Sequence, residues 1–417
     1  MFWCGAISVG VVAILFAFAC EQANVAFHKL LAYSPYLPLL ITPLGLALIA
    51  AATLKFFPGT QGSGIPQTIA ALEPSETHEL RDKLLSIRVM IGKIILTISG
   101  LFFGASVGRE GPTVQIGASI MHSLGKLANF PKHDLEKGLI LAGGAAGVAA
   151  AFNTPLAGIV FAIEEMGRSF EENHSTTVLM TVIIAGITSL ALLGNYSYFG
   201  HTSESLPFGS AWGEVALTGI AGGLLGGAFS RVLIEINKGL TGRVGAWIRE
   251  RPVAFAAVCG LILALVGLAS GNTTYGSGYS EAKSLVNGTA LLPEDFGLLK
   301  MTATAVSYIS GIPCGIMAPS LSAGAGFGAN IAHFFTSIPT SAAIILGMVA
   351  YFAGVTQAPI TSFVIVMEMT ENHEMILPLM AAAFIAKLCS RLVCPTPLFH
   401  TMAKRFLPHT SHPAKSG

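Results

Sequence analysis

Composition, the placing of glycine and proline, and an internal echo together point to an all-α, polytopic membrane protein made of two related halves. Lys+Arg 23 and Asp+Glu 22 make only 11% of the 417 residues, against roughly 25% in a soluble protein. Hydrophobic residues reach 53% and the mean hydropathy is +0.68. So few charges cannot clothe a water-facing surface, and so apolar a chain is not disordered. The net charge of +1 offers no basic patch for nucleic acid.

No Asp, Glu, Lys or Arg occurs between Met301 and Met367. That run is far longer than the roughly 20 residues one bilayer crossing needs. Gly311, Pro313, Gly315, Pro319, Gly324, Gly326, Gly328, Pro339, Gly354 and Pro359 break it, which predicts several short helices, some crossing only part of the membrane. Irregular backbone is tolerated at that depth only where protein or a watered path surrounds it. The 47 glycines, enriched over the usual ~7%, favour close helix packing.

Taken in order, residues 1–20 are apolar but lack a basic leader and run almost directly into more apolar sequence, so they read as a first membrane helix. Charge-free runs at 30–54, 56–72, 94–108, 138–163, 215–230 and 252–280 read as a mixture of full and partial spans. The polar stretches 73–83, 167–175 and 199–206 read as loops. Cys4, Cys20, Cys259, Cys314, Cys389 and Cys394 show no CxxC spacing and read mainly as small buried hydrophobes. After Glu374 there are five bases (Lys387, Arg391, Lys404, Arg405, Lys415) and no acid, which places this end in the cytoplasm. The 26 or so residues beyond Arg391 are too few for a regulatory domain. The expected organisation is one membrane unit over about 5–400, with halves at about 5–200 and 210–400, and a short tail at 401–417.

The halves echo each other. GSG at 62–64 returns at 276–278, and Gly111 with Gly315, Gly143 with Gly347, Pro155 with Pro359 and Glu164 with Glu368 share an offset of 204. Duplicated membrane units with interrupted segments in matching places point to transport at the interface of the repeats.

Four segments carry candidate chemistry: GSGIP at 62–66, GREGP at 108–112, GIPCGIMAP at 311–319 and PLF at 397–399. In the first three, glycine and proline break one helix just before another begins. A helix N-terminus presents unpaired N–H groups and about half a positive charge. Several such ends converging hold an anion without a full positive charge, and Ser63 adds a hydroxyl donor. Such weak, shared coordination lets the ion leave again.

Glu110 lies in an apolar setting, where an acid costs roughly 2.5–3.5 kcal/mol on insertion scales. Ionised, it competes with an anion for the same donors; protonated, it releases them. The plain structural alternative, an ion pair with Arg109, is disfavoured because adjacent helical residues do not face each other. Glu164 and Glu165 end another apolar run, and physics alone divides the roles evenly between them. Because Glu368 matches Glu164, Glu164 reads as a shared structural acid and Glu165 as the functional one.

Other patterns carry less. GASVG at 104–108 fits a nucleophile elbow at Ser106, but no strand precedes it. The histidines, His333 included, show no metal-ligand spacing, and GAGFG at 324–328 has no βαβ surroundings. Neither cofactor nor metal is expected.

GSGIP, GREGPTVQIG, GIPCGIMAP, AAFNTPLAGIVFAIEEM and VIVMEMTEN, in this order, resemble the CLC family of chloride channels and chloride/proton exchangers over about residues 5–400. The resemblance implies an antiparallel (inverted) repeat of many tilted and re-entrant helices, and a homodimer with one anion pathway per subunit. It implies that Ser63 and the N–H groups of Ile316 and Met317, in the segment of Gly315, bind the central anion. Glu110 would then be the external gate and proton acceptor, and Glu165 the internal proton-transfer acid. Phe399 stands where the family usually has an anion-coordinating tyrosine, Met317 where phenylalanine is common, and Gln67 where an acid is frequent. By the same resemblance, a serine at position 63 implies chloride over nitrate or fluoride. The expected function is chloride/proton antiport across a bacterial plasma membrane. A passive chloride channel, which commonly lacks the Glu165 acid, is the alternative. A fluoride exchanger ranks below both, and a membrane enzyme would need a catalytic partner for Ser106.

Overall fold

The computed structural model describes residues 2–73, 78–127, 133–167, 172–194, 198–206, 209–290, 292–334 and 338–407. Arg168 and the tail from 408, with Lys415, lie outside the described residues. The first half runs through α1 (Phe2–Tyr33), α2 (Pro38–Phe56), α3 (Ile65–Leu72), α4 (His78–Leu84), α5 (Ile87–Phe102), α6 (Glu110–Leu127), α7 (His133–Phe152), α8 (Pro155–Phe161) and α9 (Glu172–Leu193). The second begins with α10 (Ala211–Lys238), α11 (Gly242–Glu250), α12 (Pro252–Ala269), α13 (Tyr279–Val286) and α14 (Phe296–Ile309). It continues with α15 (Met317–Phe334), α16 (Thr340–Thr356), α17 (Pro359–Thr370), α18 (Ile376–Val393) and α19 (Leu398–Ala403). Among the described residues there is no strand, only two isolated backbone bridges.

The halves form an inverted repeat whose register can be read from helix starts. α2 with α12 and α3 with α13 begin 214 positions apart, α6 with α15 207 apart, and α8 with α17 and α9 with α18 204 apart. The loss of seven matches α4, a seven-residue helix with no counterpart among the described residues. The sequence expected a loop at 73–83. α4 forms instead because Arg81, fully buried, donates to the Ala71 carbonyl (3.0 Å) and pairs with Glu136 (2.8 Å), so its charge is satisfied inward. One expected pair also fails. Gly111 lies inside α6, whereas Gly315 precedes α15, and the position equivalent to Gly111 in the 207 register is Ala318.

The remaining pairs are structural. A Cβ on Gly117 would stand 2.2 Å from the Gly143 carbonyl oxygen, and one on Gly324 2.7 Å from that of Gly347. Matching small residues thus bring α6 against α7 and α15 against α16, the close backbone approach that membrane helices use. α8 and α17 pack on each other where the halves meet. Both begin with proline after a residue whose side chain makes no cap bond, and each is capped from the other half. Glu368 accepts from the N–H groups of Leu156 (3.2 Å) and Ala157 (2.7 Å), and Glu164 from those of Ile360 (3.2 Å) and Thr361 (2.7 Å).

Among the described residues six segments are long and apolar enough to cross a membrane: Trp3–Tyr33, Pro38–Phe56, Glu79–Phe102, Ala211–Lys238, Pro252–Ala269 and Ile376–Val393. On α2, Leu40, Leu44 and Leu48 form an exposed apolar stripe, while Thr42, Gly45 and Ile49 face protein. That stripe suits lipid contact, and with the other spans it makes this a multi-pass integral membrane protein.

Candidate functional site

Three helix breaks meet between the halves. Gly62 donates to Ile312 O (3.0 Å) and accepts from Cys314 N (3.0 Å), and Gly108 donates to Gly315 O (2.7 Å). These bridges lash the loops before α3, α6 and α15 together. Gly64, with φ +100°, makes the turn into α3 in a region that glycine enters without steric penalty. Gly111 leaves room for Ser63: a Cβ there would stand 2.3 Å from the serine Oγ.

The donors at this junction are buried and uncommitted. Ser63 is 0% exposed, and among the described residues its Oγ has no hydrogen-bond partner. Ile316 (0%) and Met317 (1%) lie at the N-terminal end of α15, and among the described residues their N–H groups donate to no other residue. Buried N–H groups are seldom left unpaired, so these define a place for an acceptor. Gln67 secures the approach: its side-chain oxygen accepts from Gly64 N (3.1 Å) while its Nε2 donates to Gln61 O (2.6 Å). An ionised acid there could not make the second bond.

Glu110, the first residue of α6, is 0% exposed. Its Oε2 accepts from Ala318 N in the first turn of α15 (3.3 Å), and its Oε1 accepts from the hydroxyl of Tyr279 (2.8 Å). Arg109 turns elsewhere, donating to Ala17 O (2.9 Å) and to the Tyr198 hydroxyl (2.5 Å). Among the described residues Arg109 and Glu110 form no ion pair.

The two neighbouring acids diverge. After α8 the backbone opens into a single π turn, Ala162–Met166, a distortion common at functional sites. Glu164 points to α17 as a cap, whereas Glu165 is buried (4% exposed) with the His400 Nε2 4.0 Å from its Oε1. Phe399 is fully buried on α19, which packs on α3 just beyond Ser63. A cavity of about 270 Å³ reaches Gly62 past Gln61, Gln67, Tyr308, Met402 and Arg405.

Sequence reasoning missed Tyr279, Tyr198, Tyr308, His400 and the two buried lysines. Lys93 donates to Thr60 O (2.6 Å) and Gly62 O (2.9 Å), so an ammonium backs the Ser63 loop. Lys300, 207 positions on, does the same for Thr274 O (2.9 Å) and Gly276 O (2.8 Å). A lone lysine repeated in both halves was the available signal. Ser106, by contrast, is buried against Thr304 Oγ1 (3.0 Å), and among the described residues its hydrogen-bond partners include no base.

The fold is that of an all-α, inverted-repeat membrane protein with converging helix breaks at its centre. A family model described as voltage gated chloride channel matches residues 45–391, and the chain belongs to this family, the CLC family. It is 31% identical over 409 residues to an H(+)/Cl(-) exchange transporter, ClcA, of Yersinia pestis bv. Antiqua, covering 92% of this chain and 80% of that one. With the protein of the same name from Cronobacter sakazakii it shares 32% identity over 95% of this chain and 88% of the relative. A solved slow cyanobacterial Cl-/H+ antiporter superposes with a TM-score of 0.81 at 24% identity, covering 97% of each chain. At that identity the superposition speaks for the fold.

Proposed function

We propose that this protein exchanges chloride for protons across the membrane. The observation that carries the reading is the pairing of Glu110 with the N-terminal turn of α15. A carboxylate bonded to Ala318 N stands beside the uncommitted N–H groups of Ile316 and Met317. An anion and an ionised Glu110 therefore compete for the same helix end, and protonating Glu110 releases Ala318 N and removes a negative charge beside the open donors. Anion and proton movements become linked at that point.

In this reading Ser63, Gly315, Ile316 and Met317 line the central anion site, Phe399 forms its apolar wall, and Glu110 is the external gate. Glu165 passes protons to and from cytoplasmic water. The named ClcA relatives support the substrate pair, and Ser63 supports chloride as the anion. The working unit is one membrane domain over about 5–400 with a cytoplasmic tail at 401–417. It forms a homodimer with one pathway per subunit in a bacterial plasma membrane.

Purified protein in sealed vesicles tests this directly. An outward chloride gradient should drive proton movement against its own gradient. Glu110→Gln, which mimics the protonated gate, should keep passive chloride flux and stop moving protons. Phe399, lacking a hydroxyl for the anion, favours the passive channel as a second reading. Chloride flux with no proton movement in the unmodified protein would establish that reading instead.

A further inference from the structure

We propose that Tyr279 is a latch that holds Glu110 closed, a positioning residue acting through that carboxylate; the inference rests on the gate reading of Glu110. Tyr279 is the first residue of α13, immediately after the second GSG. It approaches Glu110 from the opposite half of the repeat, across 169 residues of sequence.

Three contacts aim the phenol. Its ring stacks on Tyr198, with centroids 5.0 Å apart and planes at 23°, and lies 5.8 Å from the ring of Phe199. The Arg109 guanidinium carbon sits 5.5 Å from the Tyr198 ring centroid and 5.7 Å from that of Tyr279. Tyr198 is itself fixed, accepting from Arg109 and donating to Ala151 O (2.9 Å). With ring and cation holding the body of the side chain, its hydroxyl has one described acceptor, the Glu110 Oε1 at 2.8 Å.

The chemistry makes the latch sensitive to the gate's charge. A phenol donating to a carboxylate forms a charge-assisted bond, roughly twice as strong as one between neutral groups. Protonated Glu110 is a poorer acceptor, so the bond weakens when the proton arrives. Ala318 N, the second donor to the carboxylate, is a fixed backbone group that substitution does not remove. Tyr279 is therefore the adjustable half of the clasp, and Arg109 serves it by orienting the two rings rather than by pairing with the acid.

Tyr279→Phe keeps the ring and its stacking but deletes the donor. In vesicles at neutral pH, chloride turnover should rise roughly tenfold, in line with loss of one charge-assisted hydrogen bond. Protons moved per chloride should fall, because chloride passes while the gate is open but unprotonated. The same substitution in a Glu110→Gln background should leave turnover unchanged, since a neutral amide no longer needs the latch. Equal acceleration in both backgrounds would mean that Tyr279 shapes the pathway by itself, and the latch would be wrong. Unchanged turnover and coupling in Tyr279→Phe, with Glu110→Gln still uncoupled, would overturn the latch and leave the gate standing. If Glu110→Gln itself still pumps protons, gate and latch fall together.

Discussion

Ser63 combines a buried, uncommitted hydroxyl with the start of α3, so its chemistry should decide which anion is held. Ser63→Pro removes both the hydroxyl and the backbone N–H. Nitrate is then expected to gain on chloride in competitive flux measurements, and unchanged selectivity in a folded variant would take Ser63 out of the site. Glu165 poses a sharper test, because its neighbour is an internal control. Glu165→Gln keeps size and shape but cannot titrate, so proton transport should fall sharply while chloride still moves. Glu164→Gln should disturb protons far less, as its carboxylate lies on the N-terminus of α17. The opposite ranking in paired proton and chloride assays would reverse the assignment. The structural acid was legible from sequence because the repeat marks it: Glu164 has a partner in Glu368, and the two make matching caps, whereas Glu165 has no acid at the matching position. Tyr279 and His400 were not legible. They reach Glu110 and Glu165 across 169 and 235 positions, and a tyrosine or histidine in an apolar chain announces no partner.

At the scale of elements, glycine and proline told where helices break, but not the register in which the broken ends meet. The pairing of Gly111 with Gly315 failed for that reason: many glycines match at several offsets, and only the helix starts distinguish 204 from 207. The lysines were passed over because each interrupts an apolar run and resembles a boundary. Buried among carbonyls, Lys93 and Lys300 instead tie down the loops before the two GSG turns. The reciprocal caps make a prediction of their own. Glu164→Ala and Glu368→Ala should each lower stability by about 1–2 kcal/mol, the usual cost of a lost N-cap. Because the two caps have matching geometry, the losses should be similar in denaturation of the detergent-solubilised protein. A large asymmetry would mean that only one of the two helix ends depends on its cap.

For the whole molecule, membrane class and duplication followed from composition and spacing, since a bilayer constrains both more tightly than water does. What spacing could not convey is that the halves complete each other. α8 starts with a helix end whose acceptor, Glu368, lies 212 residues beyond Leu156. During synthesis the first half must therefore sit in the membrane with that end unanswered until the second half emerges. At ~5–20 residues per second the interval is roughly 10–40 s. The amino-terminal half is thus a biosynthetic intermediate with an exposed, anion-attracting terminus, and two separately translated halves, cut between α9 and α10, have a built-in reason to find one another.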